Sequence, residues 1–240
     1  MTYTATSGFR AVLLDALGTL VELEPPWPSL RRTLASRHGI EVSEPDAKRA
    51  MLAEMAYYRS HHQEGSNPAT LANLRQKCAL VLRDQLPQTS SLGVEELTEA
   101  LLDSLRFTPY PDAAPSLAAM RVAGMRLAVV SNWDCSLRSI LEQLGLAGAV
   151  DAIVVSAEVG ARKPEAAIFA AALEQLRCGP QEAMFVGDSL ETDVLGARGA
   201  GLRPLLLERE GSVSADAPPD VERIFSLHDL VELVDVRAPS

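Results

Sequence analysis

Residues 9–20 read Phe-Arg-Ala-Val-Leu-Leu-Asp-Ala-Leu-Gly-Thr-Leu, an apolar run that ends at Asp15 and is soon followed by Gly18. A short apolar run of this kind predicts a buried strand of a parallel sheet. A carboxylate that leaves such a strand is unfavourable unless it is paired, hydrated or bound to a metal ion. Gly18 permits a backbone conformation that other residues resist. Taken alone, the segment could equally be an aspartate in a turn.

Further apolar runs recur later in the chain, at 126–130, 152–155, 183–186 and 203–207. Helical patterns lie between them, near 112–123, 134–144, 164–176 and 190–200. Strands that alternate with helices predict βαβ units. The sequence therefore predicts an α/β fold whose core is a doubly wound, Rossmann-like parallel sheet.

Residues 22–108 interrupt this alternation, because they contain helical stretches and no convincing strand. The stretches are separated by proline or glycine and lie near 28–38, 44–63, 68–86 and 94–105. We therefore expect two domains. Residues 1–21 and 109–240 would form the α/β core domain, and residues 22–108 a smaller, all-helical cap domain.

Composition narrows the class of protein. The 240 residues suffice for a sizeable core, and the formal net charge is -10. An acidic chain is repelled by nucleic acids and by anionic membranes, so both are disfavoured as partners, while a local pocket can still bind a small anionic substrate.

Three cysteines without CxxC spacing argue against a disulfide framework or a zinc site. Without a signal segment or a long apolar run, we expect a cytoplasmic enzyme, as a monomer or homodimer.

Polar side chains also follow two of the later runs. Ser131 and Asn132 can donate hydrogen bonds to an oxyanion, although both residues are also good helix caps. Pro164 suits the first position of a helix, so Lys163 would lie beside the positive end of that helix. There it could hold an anion or balance carboxylates. A solvated surface lysine is the structural alternative.

The run at 183–186 leads into Gly187-Asp188-Ser189-Leu190-Glu191-Thr192-Asp193. Its two aspartates, five positions apart, would straddle the strand end and the first helical turn. Such hard oxygen ligands suit magnesium, which takes one or two carboxylates plus waters, although helix capping would also explain them. Ligands of parallel sheets bind at the carboxyl ends of the strands. We therefore expect these aspartates, Asp15 and Lys163 to form one metal site that faces an anion.

These segments together resemble the four motifs of the haloacid dehalogenase superfamily. Residues 15–19 resemble the first motif, Ser131 the second, Lys163 the third and residues 187–193 the fourth. The helical block follows the first motif, where one type of cap is inserted in that family.

The resemblance implies a hydrolase with Asp15 and Lys163 as its catalytic residues. Asp15 would attack phosphorus, or carbon in the dehalogenases, and form an ester with the enzyme. Magnesium is the implied cofactor, and its expected ligands are Asp15, the backbone carbonyl of Leu17, Asp188 and Asp193. The residues expected to bind the substrate phosphate are Ser131, Asn132, Lys163, Gly18 and Thr19.

Position 17 departs from the family's phosphatases, which carry an aspartate there as general acid and base. Leu17 cannot transfer a proton, and losing such a group lowers a rate roughly 10²–10⁴-fold. His61, His62 and Asp134 are other candidate proton donors, although we expect an exposed histidine pair and a helix cap. The leading hypothesis is a magnesium-dependent phosphatase that acts on a small phosphorylated metabolite.

Two alternatives stay open. The dehalogenase branch also lacks the second aspartate, because halide leaves without a proton, which favours a metal-independent 2-haloacid dehalogenase. That branch, however, has a different fourth motif. The other alternative is a degenerate member of the family that binds its ligand without turnover.

Overall fold

The computed structural model describes residues 8–209 and 218–235, and the chain forms two compact units. The first unit contains the chain up to Glu22, Pro109–Asn132 and the chain from Ser136 onward. The second contains Leu23–Thr108 and Trp133–Cys135. The sequence did not indicate that Trp133–Cys135 groups with the helical unit. The division into a core domain of 1–21 and 109–240 and a cap domain of 22–108 stays a prediction.

The first unit is built on a parallel sheet. In chain order, the strands of the described residues are β1 (Ala11–Leu14), β2 (Val21–Leu23), β3 (Phe107–Pro109), β4 (Arg126–Ser131), β5 (Ala152–Val155), β6 (Ala183–Gly187), β7 (Arg203–Leu207) and β8 (Arg223–Ile224). Within the described residues, six of them form a parallel sheet in the order β5-β4-β1-β6-β7-β8, while β2 and β3 form a separate pair. The predicted doubly wound parallel sheet is confirmed. The sequence did not predict β2, β3 and β8, which span only two or three residues each.

The strand order explains where a ligand would bind. The chain places β4 and then β5 on one side of β1, and later returns to place β6 on the other side. In sheets of this kind, ligands bind at the carboxyl ends of the strands where the order reverses. Leu14 at the end of β1 is level with Val129 of β4 and Val186 of β6. Side chains that follow these three strands therefore converge.

The second unit is helical. Its helices are α1 (Pro26–His38), α2 (Glu44–His61), α3 (Pro68–Gln85) and α4 (Val94–Ser104), with 3-10 turns at His62–Glu64 and Pro87–Thr89. The helices begin and end within two residues of the predicted bounds, because caps mark them. Asn67 accepts hydrogen bonds from the first-turn amides of α3, and Gly39 ends α1 with a φ of 66°. His62, expected to be exposed, is buried.

Helices of the first unit connect the strands. They are α5 (Ala113–Val122), α6 (Leu137–Gln143), α7 (Ser156–Val159), α8 (Ala166–Leu176), a π-helical turn (Leu190–Leu195) that leads into α9 (Gly196–Gly199), and α10 (Leu227–Asp235), with 3-10 turns at Ala147–Ala149 and Pro180–Glu182. One prediction is wrong: Pro164 does not begin a helix. Glu165 precedes the first residue of α8, and the cis peptide Lys163–Pro164 lies in the turn before it. Lys163 is therefore carried by a loop.

Each unit has an apolar core of its own. In the first, Phe169 of α8 meets Phe185 of β6 edge-on, with ring centroids 5.2 Å apart. Both rings are fully buried, and burial of a phenylalanine stabilises a fold by roughly 1.5–3 kcal/mol. In the second, Leu30, Leu74 and Leu97 belong to one cluster contributed by separate helices. In the parts of the chain that the structure describes, no helix combines the length and the apolar character that a membrane crossing requires.

Two glycines of α9 test how tightly the loop of Lys163 is packed. A Cβ at Gly196 would lie 2.9 Å from the Cα of Pro164 and 3.0 Å from the ring of Phe169, whereas a Cβ at Gly199 meets nothing within 4 Å. We expect Gly196→Ala to lower the free energy of unfolding by about 1–3 kcal/mol, because backbone must move. Gly199→Ala should leave it unchanged or raise it by up to about 1 kcal/mol, because alanine favours helix. Urea unfolding measures both, and equal effects would contradict the packing described.

Candidate active site

Asp15 lies directly after β1, at the centre of the sheet. Its amide donates to the carbonyl of Val186 on β6, over 2.9 Å, so the residue is fixed by the neighbouring strand. Its side chain is buried, and the Ser131 hydroxyl at the end of β4 donates to Oδ1 over 2.9 Å. The nucleophile candidate is thus oriented by the strands on both sides.

Lys163 joins the first and fourth motifs of the site through Asp15 and Asp193. Its Nζ lies 2.5 Å from Oδ1 of Asp15 and 2.7 Å from Oδ1 of Asp193, and the side chain is only 2% exposed. Asn132 fixes the backbone of Lys163 from both sides. The Lys163 amide donates to Oδ1 of Asn132 over 2.8 Å, and Nδ2 of Asn132 donates to the Lys163 carbonyl over 3.0 Å. Because Lys163 is held in this way, the surface-lysine alternative does not apply.

Burial and neighbouring charges have opposite effects on the pKa values of Lys163 and Asp15. Burial alone would lower the pKa of Lys163, but the negative charges of Asp15 and Asp193 outweigh it and raise that pKa. Lys163 is therefore a protonated ammonium at neutral pH. Burial raises the pKa of Asp15, and the Lys163 ammonium opposes that rise.

Asp188 and Asp193 complete an acidic cluster with Asp15. Each of the three aspartates offers a carboxylate oxygen, and these oxygens all lie within 4.8 Å of one another. Asp193 is buried on the π-helical turn, where its Oδ2 accepts from the Ser189 amide over 3.0 Å. Asp188 is open to solvent on one side. Desolvation of its carboxylate, followed by the charges of Asp15 and Asp193, raises the pKa of Asp188 to about 7.

The cluster fits an oxygen-coordinated divalent cation. Three carboxylates face one ammonium, so the ionised cluster carries an excess of two negative charges. Clustered carboxylates are the ligands that magnesium takes, with waters at the remaining positions. The negative charges of Asp15 and Asp193 add to desolvation in raising the pKa of Asp188. A cation bound there would lower that pKa and favour the ionised cluster.

Two glycines leave room for these carboxylates. Gly18 has a φ of 84°, and a Cβ there would lie 2.1 Å from Oδ2 of Asp188. A Cβ at Gly187 would lie 2.3 Å from Oδ2 of Asp193. The sequence predicts phosphate binding for Gly18, and we predicted no role for Gly187. The signal for Gly187 was present, since a glycine at the end of an apolar strand often marks a close approach of other groups.

Leu17 and Thr19, the remaining predicted site residues, lie in the same unit as the acidic cluster, and their surroundings differ from each other. Leu17 is partly buried in the turn after Asp15, where the Ala16 carbonyl accepts from the amides of Leu20 and Val21. Thr19 is fully buried, and its hydroxyl has no hydrogen-bond partner within residues 8–209 and 218–235. Contacts of the Leu17 carbonyl with metal and of Thr19 with phosphate stay predictions.

The other candidate proton donors belong to the helical unit. Asp134 is buried there, and the hydroxyl of Tyr58 donates to its Oδ2 over 2.8 Å. His61 stacks on Tyr57 with ring centroids 4.0 Å apart. Nδ1 of the buried His62 lies 2.9 Å from the Arg59 carbonyl.

Comparison with known proteins agrees with this geometry. The family model of the haloacid dehalogenase-like hydrolases matches residues 9–201. Ribulose-1,5-bisphosphate 5-phosphatase of Halopiger xanaduensis is 34% identical over 132 residues, which are 52% of this chain and 55% of the relative. The match thus spans little more than half of that relative's length.

Solved structures match over a greater length. A HAD phosphatase of Thermococcus onnurineus superposes with a TM-score of 0.66 at 27% identity, over 95% of this chain and 99% of that chain. L-2-haloacid dehalogenase of Xanthobacter autotrophicus also reaches 0.66, at 22% identity, over 96% of this chain and 100% of that chain. The likeness to the dehalogenase is one of fold.

The close approach of Gly18 to Asp188 can be tested with a second glycine. Gly124 has a φ of 78° and open space around a Cβ, so Gly124→Ala reports backbone strain alone, about 1–2 kcal/mol. Gly18→Ala should lose similar stability, because Asp188 can escape the new methyl by rotating. That rotation would remove a carboxylate from the cluster. We therefore expect magnesium to raise the melting temperature of wild type and Gly124→Ala but not of Gly18→Ala. An equal rise in all three would contradict this arrangement.

Proposed function

The chain belongs to the haloacid dehalogenase-like hydrolases, and from this we propose that it is a magnesium-dependent phosphatase with Asp15 as its covalent nucleophile. The substrate would be a small phosphorylated molecule. The observation that supports the proposal best is the acidic cluster of Asp15, Asp188 and Asp193 around the ammonium of Lys163.

The charge of the cluster favours a metal-dependent reaction. A phosphate monoester would bring further negative charge to a site that already has an excess of it. Lys163 alone cannot compensate the negative charges of both the cluster and the phosphate. A divalent cation is therefore required for the substrate to bind. Magnesium, held by Asp15, Asp188, Asp193 and the Leu17 carbonyl, would supply positive charge between nucleophile and phosphate.

The chain's own residues would carry the covalent steps. A carboxylate oxygen of Asp15 forms a bond to phosphorus while the bond from phosphorus to the leaving oxygen breaks. Water then attacks the aspartyl phosphate, which releases inorganic phosphate and restores Asp15. Ser131 and Lys163 both donate to Oδ1, so they fix the rotation of the carboxylate during the attack. Asn132 holds Lys163, and Asp193 shares its charge.

Leu17 constrains the substrate. An alkoxide is a poor leaving group unless a general acid protonates it, and an alkyl side chain cannot do so. The leaving groups of acyl and aryl phosphates depart as stabilised anions. The leucine would therefore lower the rate of hydrolysis least for these substrates. Asp134 or a histidine of the helical unit is the alternative source of a proton for other esters. We therefore favour substrates whose leaving group needs little protonation.

One observation favours a second candidate, a 2-haloacid dehalogenase. Leu17 is no disadvantage when halide leaves. A dehalogenase, however, has no need for Asp188 and Asp193 as an additional acidic pair beside Asp15, and the excess negative charge of the cluster would repel a haloacid's own carboxylate. The phosphatase therefore remains the stronger candidate, with a binding protein without turnover as the third.

Release of phosphate from an aryl phosphate tests the proposal. Wild type should release phosphate with magnesium and stop in EDTA, and Asp15→Asn should fall to the background rate because it lacks the nucleophile. Asp220→Asn, at an exposed ion pair with Arg198, is the matched control and should keep full activity. Chloride release from a 2-chloroacid that is indifferent to EDTA would replace the phosphatase by a dehalogenase. Release of neither product would favour the binding protein.

Replacement of Leu17 tests whether the lack of a general acid at position 17 limits turnover. Leu17→Asp should raise turnover of alkyl phosphates by roughly 10- to 100-fold, since a titratable carboxyl enters the site, and that of aryl phosphates much less. Leu17→Asn has nearly the same size without the proton and serves as the control. A plot of rate against the pKa of the leaving group compares the variants. If Leu17→Asp and Leu17→Asn give the same slope as wild type, position 17 does not limit proton transfer.

A further inference from the structure

A largely buried arginine two residues after β7 contacts the loop that follows the nucleophile. Arg209 donates to the carbonyl of Thr19 over 2.6 Å, and its guanidinium lies over the ring of Tyr110, 3.6 Å from the centroid. The Arg209 side chain is only 16% exposed. No motif marks it, and it lies outside the matched residues 9–201.

Asp112 fixes the orientation of this arginine. Its carboxylate accepts from both terminal nitrogens of Arg209, over 3.0 and 3.2 Å, which is the bidentate geometry that sets a guanidinium plane. Asp112 also accepts from the Leu227 amide at the start of α10. Although burial would raise the pKa of Asp112, the hydrogen bonds from Arg209 and Leu227 hold it below its ordinary value. The pair is therefore ionised and rigid.

Two consecutive carbonyls of the loop are thus held by Arg209 and Tyr110, which are in contact with each other. Arg209 holds the Thr19 carbonyl, and the Tyr110 amide donates to the Leu20 carbonyl over 3.0 Å. Residues 16–21 connect these anchors to Asp15 through a turn that contains Gly18 at a positive φ. The turn is closed by its own hydrogen bonds to the Ala16 carbonyl, and the contacts of Arg209 and Tyr110 attach it to the rest of the unit at the two carbonyls that point outward.

We infer that Arg209 is a positioning residue that holds the turn of residues 16–21 and so the direction in which Asp15 attacks. The inference rests on the proposed function for its kinetic consequence and on the hydrogen bonds alone for its structural one. Arg209 touches neither Asp15 nor the acidic cluster among the described contacts. Its loss should therefore reduce turnover much more than substrate affinity.

Arg203, at the start of β7, offers a matched control. It also makes two hydrogen bonds to one carboxylate, that of Glu222, over 2.9 and 2.7 Å, and it also lies over an aromatic ring, that of Phe9. It makes no described contact with residues 16–21. Arg203→Met therefore removes a comparable bidentate ion pair without releasing the turn.

Amide hydrogen exchange and kinetics of Arg209→Met and Arg203→Met test the inference. Arg209→Met should exchange the amides of residues 16–21 at least about tenfold faster, because the turn opens more often. It should also lose roughly 10- to 100-fold in kcat on an aryl phosphate, with KM changed less than about threefold, since small misplacements of a reacting group have effects of this size. Arg203→Met should show neither change.

Each outcome decides the inference. Unchanged exchange in Arg209→Met, or the same changes in Arg203→Met, would overturn it. If Arg209→Met does not fold, Arg209→Lys is measured in its place, because lysine keeps the charge beside Asp112 but lacks the fork that reaches Thr19 as well. If wild type releases no phosphate, the proposed function fails, and the exchange of residues 16–21 judges Arg209 by itself.

Discussion

The buried ion pair of Lys163 with Asp15 and Asp193 is the interaction on which the site depends. Charges withdrawn from water are tolerated only when partners compensate them closely, and removal of one partner leaves the others uncompensated. Lys163 therefore requires both aspartates, and each aspartate requires the lysine. Because Asp15 follows β1, Asp193 lies on the π-helical turn and Lys163 precedes α8, these ion pairs also hold the three segments together.

The part of the structure that could be predicted from the sequence is the part fixed by local pattern. Apolar runs identified β1, β4 and β6, and parallel strands bring their carboxyl ends to one edge. The proximity of Asp15, Asp188 and Asp193 follows from that rule without any long-range information. Helix bounds in residues 26–104 could be predicted for the same reason, since caps and breaking residues lie beside them in the chain.

The rest depends on contacts between residues far apart in the sequence. Pro164 has the properties of a first helical residue, yet it lies in the turn before α8, where it packs closely on Gly196. Trp133–Cys135 follows a strand of the first unit and groups with the helices of the second. Asp112 and Arg209 are 97 positions apart and belong to no motif. No periodicity or spacing in the chain indicates such pairings.

The charge of the acidic cluster indicates the kind of ligand to which the site is suited. Three carboxylates around one ammonium leave an excess of negative charge, and the charges of Asp15 and Asp193 add to desolvation in raising the pKa of Asp188. A strand end that needed only a helix cap would be satisfied by one aspartate, and Ser189 already caps the π-helical turn. Gly18 and Gly187, moreover, leave open the space that the extra carboxylates occupy. Stability of the fold alone would favour fewer acids, which supports the proposal that the cluster binds a cation.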